Sequence, residues 1–116
     1  MNKISNNQMK DFTTHKRAFI TNNETVYSEY KTNRRSLDEL YVVYSYGEHF
    51  PMYIYDDEVE MWFGNESRYS TTTSKHQALA RPDVDDMTML PTSDLLALID
   101  LGGYRDYCAE RCGTMY

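Results

Sequence analysis

No stretch of this chain stays apolar for the roughly 20 residues that a membrane-crossing helix needs. The opening residues, MNKISNNQMK, hold no apolar core of the kind a secretory signal requires. The expectation is a soluble protein inside a cell. Cysteine is scarce: Cys108 and Cys112 are the two present, too few for a disulfide scaffold. Glycine is scarce too, and none of it builds a phosphate-cradling loop. Gly102 and Gly103 follow a helical pattern and read as its C-terminal cap. Ser45, Ser70 and Ser74 lack the G-x-S-x-G setting of an activated nucleophile. No recognised catalytic signature is present, and no cofactor is expected.

What the chain has in plenty is tyrosine. Residues 41–63, YVVYSYGEHFPMYIYDDEVEMWF, hold five of the eleven tyrosines and the sole tryptophan. Valine, tyrosine and isoleucine suit a pleated surface, so the stretch predicts three strands, 41–46, 52–55 and 59–63. Gly47 and Pro51 mark the first turn, and Asp56-Asp57-Glu58 the second. Alternation puts Val43, Met52, Ile54, Val59, Met61 and Phe63 on one face. The other face collects Tyr44, Tyr46, Tyr53, Tyr55, Glu60 and Trp62. The aromatic face is either covered by helices or offered to a partner, and register decides between these.

Around this meander the reading is simple. Residues 1–10 are polar and predict a flexible arm. Strands are expected at 18–20 and 25–32. Ser36 and Glu39 have capping-box spacing, which predicts a helical turn at 37–40. Helices are expected at 74–81, capped by Ser74 or Thr73, at 91–101, capped by Ser93, and at 104–112. Residues 83–89 read as an acidic loop. The sum is a single α+β domain: an antiparallel sheet of three to five strands with two or three short, mainly C-terminal helices.

Charge comes in blocks. Residues 36–66 carry eight acids and no lysine or arginine, and residues 83–100 carry five aspartates and no base. Residues 1–35 and 67–82 are net basic. The blocks either neutralise one another inside the fold or leave an acidic face for a basic partner. Direct nucleic-acid binding is not expected from a chain of net charge −6.

Three constellations bear on chemistry. His49 and His76, if brought together, would make a general acid/base pair for a small hydrolase or nuclease; singly they read as turn and helix-start hydrogen bonders. Cys108 and Cys112 with the two histidines do not have zinc-finger spacing, and no metal is expected. The aspartates at 83–86 and the acids at 56–58 do not match a calcium loop and read as solvated turns.

The segment YVVYSYGEHFPMYIYD, followed by WFGNESRYS and TTSKHQALARP, resembles a small domain of bacteriophage proteins with the pattern S-Y-G-x-H-F-P-M and T-S-K-H-Q. The likeness covers residues 41–82. It implies a phage origin and carries no established activity of its own; small acidic phage proteins often act against host defence in the cytoplasm of the infected bacterium, with anti-CRISPR inhibitors as the familiar case. The function expected is non-enzymatic: binding and blocking a host protein or ribonucleoprotein complex. The surface expected to do so is Tyr53, Tyr55, Asp56, Asp57, Glu58, Glu60 and Trp62, aromatic anchors interleaved with steering acids. A self-associating accessory module of a virion is a further reading of the same aromatic face.

Overall fold

A computed structural model describes residues 2–32, 39–68 and 70–112. The chain is α+β, and its sheet is larger than expected. Seven strands lie in chain order: β1 (Asn2–Ile4), β2 (Phe19–Thr21), β3 (Val26–Thr32), β4 (Glu39–Ser45), β5 (Pro51–Asp56), β6 (Met61–Asn65) and β7 (Thr88–Leu90). Strands β2 to β6 form an antiparallel meander. The outer pairs β1–β2 and β6–β7 are parallel, so the sheet is mixed.

Each parallel pair needs a crossover, and each has a helix: α1 (Met9–Thr14) and α2 (Thr71–Ala80). Strands β1 and β6 point the same way, and both crossovers step in the same direction across the sheet. The right-handed rule therefore puts both helices on one face. Met9 and Phe12 of α1 and Ala80 of α2 indeed share a core with Tyr41, Val43, Met52, Tyr53 and Trp62. The opposite face is left for α3 (Thr92–Leu101) and α4 (Tyr104–Cys112). Leu95, Leu98 and Tyr107 pack there on Leu40, Val42, Tyr44, Ile54 and Phe63. With both faces covered, central strand β4 is buried from Leu40 through Ser45, as a doubly covered strand must be.

The aromatic face is thus covered rather than offered. Its membership also differs from simple alternation. Val43 pairs with Tyr53 but Tyr44 pairs with Pro51, so Met52 is an extra residue in β5. This bulge sends Met52 and Tyr53 to the same core. Tyr44 goes to the α3–α4 face with Ile54 and Phe63. Tyr46 leaves the sheet in a left-handed conformation and is exposed.

The N-terminal segment is not a free arm. Asn2–Ile4 pairs with β2, and a 3-10 turn over Asn6–Gln8 leads into α1. Glu39 and Leu40, expected in a helical turn, begin β4; Leu37 lies outside the described residues. Helix α2 starts earlier than expected, because Ser70, not Ser74, accepts from Thr73 N at 3.1 Å. Pro91, not Ser93, holds the N-cap of α3, and Gly102 at φ 95 ends that helix. Residues 104–112 form the expected last helix.

Strand β7 begins inside the segment 83–89 that reads as an acidic loop, and one glycine lets it dock. A Cβ on Gly64 would stand 2.5 Å from Met87 Sδ and 2.8 Å from Met89 Sδ. Both methionine ends can shift, so Gly64→Ala is expected to cost about 1–2 kcal/mol in urea denaturation. A cost below about 0.3 kcal/mol would contradict this packing.

Candidate functional site

The expected surface is split by the fold. Tyr53 and Trp62 are buried, at 3% and 7% exposure. Tyr53 donates its hydroxyl proton to Gln77 O, and Trp62 packs edge-on to Tyr41 at 6.3 Å. Asp56 is buried as well. Its Oδ1 accepts from Glu58 N at 2.9 Å and its Oδ2 from Tyr104 N at 2.7 Å, so it closes the hairpin turn and caps α4. Tyr55 and Glu58 are half-buried, and Asp57 and Glu60 are exposed. These seven residues therefore do not form one exposed aromatic patch. The physical reason is that helices cover both sheet faces, which leaves the sheet ends free.

One sheet end gathers acid. The backbone N–H of Asp57 donates to Glu39 O at 3.2 Å, joining the β5 end to the β4 start. Glu39 and Asp57 line a cavity of about 200 Å³ with Lys16, Tyr30 and Tyr55. Beside it, Glu60 and Asp86 line another of about 220 Å³ with Trp62 and Met87 at its base. The parallel pairing of Phe63 with Thr88 brings Asp86 there. Acids from two blocks of sequence thus meet at one end of the sheet.

Among the described residues, Lys16 and Arg105 approach them. Lys16 Nζ lies 4.3 Å from the centre of the Tyr55 ring, and Arg105 reaches Glu58 at 3.7 Å. Such exposed pairs contribute little to stability. The carboxylates act on the two phenols beside them. Burial, then Glu39 and Asp57, push the Tyr30 hydroxyl pKa up. Burial, then Glu60, Asp57 and Asp56, do the same for Tyr55. Both phenols therefore stay protonated donors at neutral pH.

No protein-family model, curated protein or solved structure matches the chain.

The two candidate histidines differ in burial. His76 is buried, and its Nδ1 shares a hydrogen bond of 2.9 Å with Ser45 Oγ. Ser45 follows Tyr41 and Val43 on the face that α2 covers, which explains the meeting. Tyr46 lies over the imidazole, with ring centres 5.5 Å apart. His49 is exposed on the turn, and its ring folds towards Gly47. Ser45, at 1% exposure, has no room for an acyl carbon, so the pair serves as a buried clamp between β4 and α2.

Burial lowers the His76 pKa from its ordinary 6.5. The folded state thus prefers the neutral ring. Stability is complete above pH 6.5 and falls as pH drops through the folded value, by at most about 1.4 kcal/mol per pH unit. A pH series of urea melts should show this loss, and His76→Gln should remove that share of it. An identical slope in both proteins would contradict the clamp.

Among the described residues no three His, Cys, Asp or Glu side chains are grouped to hold a metal. Cys108 is a half-buried thiol, and the Cys112 side chain lies outside the described residues. Among the described residues no helix is long and apolar enough to cross a membrane. Sequence reasoning missed Glu39, Tyr30 and Asp86 as neighbours of the hairpin. The aspartate block at 83–86 was visible; the β6–β7 pairing that carries it to the hairpin was not.

Proposed function

We propose that this is a non-enzymatic binding protein that presents the acidic end of its sheet to a basic surface on a host macromolecule. The observation that carries this reading is the convergence of Glu39, Asp57, Glu58, Glu60 and Asp86 at one end, with Tyr30 and Tyr55 between them. Excess negative charge steers a basic partner and speeds encounter, and protonated phenols add contact area and donors. The partner is a host protein or ribonucleoprotein, blocked at a site that would otherwise hold nucleic acid. The likeness of residues 41–82 to a phage domain supports a phage origin, and analogy with small acidic phage proteins then suggests an anti-defence inhibitor of the anti-CRISPR kind, acting in the infected cell.

The test is a pull-down from bacterial lysate with two baits. One is the natural chain; the other carries Asp57→Lys, Glu60→Lys and Asp86→Lys. All three side chains are exposed, so the fold should survive, which circular dichroism checks. Asp56 is excluded because its carboxylate is a structural acceptor. The natural chain should retain a partner that the triple variant loses. Equal retention by both baits would sink this assignment.

A further inference from the structure

At the far side of the β6–β7 pair lies a groove of different character. Two segments, NESR at residues 65–68 and SKHQALAR at 74–81, meet to form it, and the acidic end uses neither. The groove has a volume of about 340 Å³, within the ~300–1,000 Å³ usual for small-molecule sites. One wall is the face of α2 at Ser74, Gln77, Ala78 and Arg81, spaced i, i+3, i+4 and i+7. The other is the loop that leaves β6, residues 65–68, and the edge strand supplies Met89. This position, beside the strand end and helix of a parallel β–α–β unit, is where such units place ligands.

The groove is built rather than incidental. Gln77 Nε2 donates to Asn65 O at 3.0 Å and to Ser67 O at 3.4 Å, pinning the loop to the helix. Asn65 Nδ2 donates to Pro51 O and Thr92 Oγ1, and its Oδ1 accepts from Ser67 N at 2.7 Å. Ser67 Oγ accepts from Thr92 N at 3.2 Å, which leaves its own proton free to donate. Arg68 and Arg81 both line the groove and are exposed. Among the described residues neither has a carboxylate within ion-pair distance.

Two guanidinium groups without a carboxylate partner among the described residues, Arg81 resting on the Tyr53 hydroxyl, and a free hydroxyl suit a phosphate, which arginine binds through paired N–H groups. The lining is mixed, with Met89, Ala78 and Tyr53 beside Glu66. That combination suits an organic body with hydroxyl or amino donors for the Glu66 carboxylate. We propose that the groove between α2 and the β6–β7 edge binds a small phosphate-bearing organic molecule of nucleotide size. Arg68 and Arg81 take the phosphate, and Glu66 accepts from the body.

Isothermal titration at about 0.15 M salt tests this with the four common nucleoside monophosphates, a nucleoside and inorganic phosphate. At least one monophosphate should bind saturably, and phosphate or nucleoside alone at least about tenfold more weakly. Arg68→Gln and Arg81→Gln should each weaken binding by about tenfold or more while leaving the melting temperature unchanged. Asp57→Lys should not weaken it, which separates this site from the acidic end. The proposal is overturned if no monophosphate binds, if inorganic phosphate binds equally well, or if the arginine variants bind as the natural chain does.

Discussion

Trp62→Ala is expected to destabilise the protein by about 3–5 kcal/mol, a large part of the whole for a domain of this size. The indole is 7% exposed. Its neighbours are Tyr41, edge-on at 6.3 Å, and Tyr55, tilted at 5.2 Å. Truncation would remove these contacts and leave a cavity between the sheet and its covering helices, which rigid strands on both sides cannot close. Equilibrium urea denaturation measures the loss. An exposed tryptophan kept for a partner would behave otherwise: its removal would change stability by no more than about 0.5 kcal/mol. The two outcomes are far enough apart that one melt separates them.

Asp56→Ala should cost about 3 kcal/mol or more, while Asp57→Ala, one residue on, should cost less than about 0.5 kcal/mol. Asp56 holds two backbone donors from different parts of the chain, Glu58 N and Tyr104 N. Each bond to an ionised carboxylate contributes about 1.5–3 kcal/mol, and the charge also favours the start of α4. Without it, two part-buried N–H groups lose their acceptor. Asp57 points to solvent. Asp56→Asn should recover part of the loss, since one side-chain oxygen remains to accept. Equal effects at Asp56 and Asp57 would mean that the cap does not hold α4 in place.

These neighbours show what could be read from the residues and what could not. Strands β3, β4 and β5 were legible because β-branched and aromatic residues sit between clear turn signals at Asn22-Asn23, Gly47 and Asp56-Asp57. Helices α3 and α4 were legible from the leucine spacing and the Gly102-Gly103 stop. Strands β1 and β7 were not. Each is three residues long, and each exists through its parallel neighbour rather than through its own propensity. Helix α1 is one short polar turn and a half, held by Met9 and Phe12 in the core.

The bulge at Met52 was not legible. It depends on how β5 meets β4, which no local pattern encodes. The aromatic surface is split for a different reason: α1 and α2 cover the face on which Tyr53 and Trp62 lie. The acids fared differently. Charge is conspicuous in a sequence, and both negative blocks were visible; their meeting at one sheet end required β7 to pair with β6. The claim that survives is narrower: a carboxylate rim with Tyr30 and Tyr55 set in it.

The most direct measurement is amide hydrogen exchange on the protein alone and in complex with the partner it captures. The account predicts added protection at residues 39, 57–61 and 85–88, with little change along α3 and α4. Protection confined to α3 and α4, with the hairpin turn and the aspartate loop exchanging as freely as before, would contradict it.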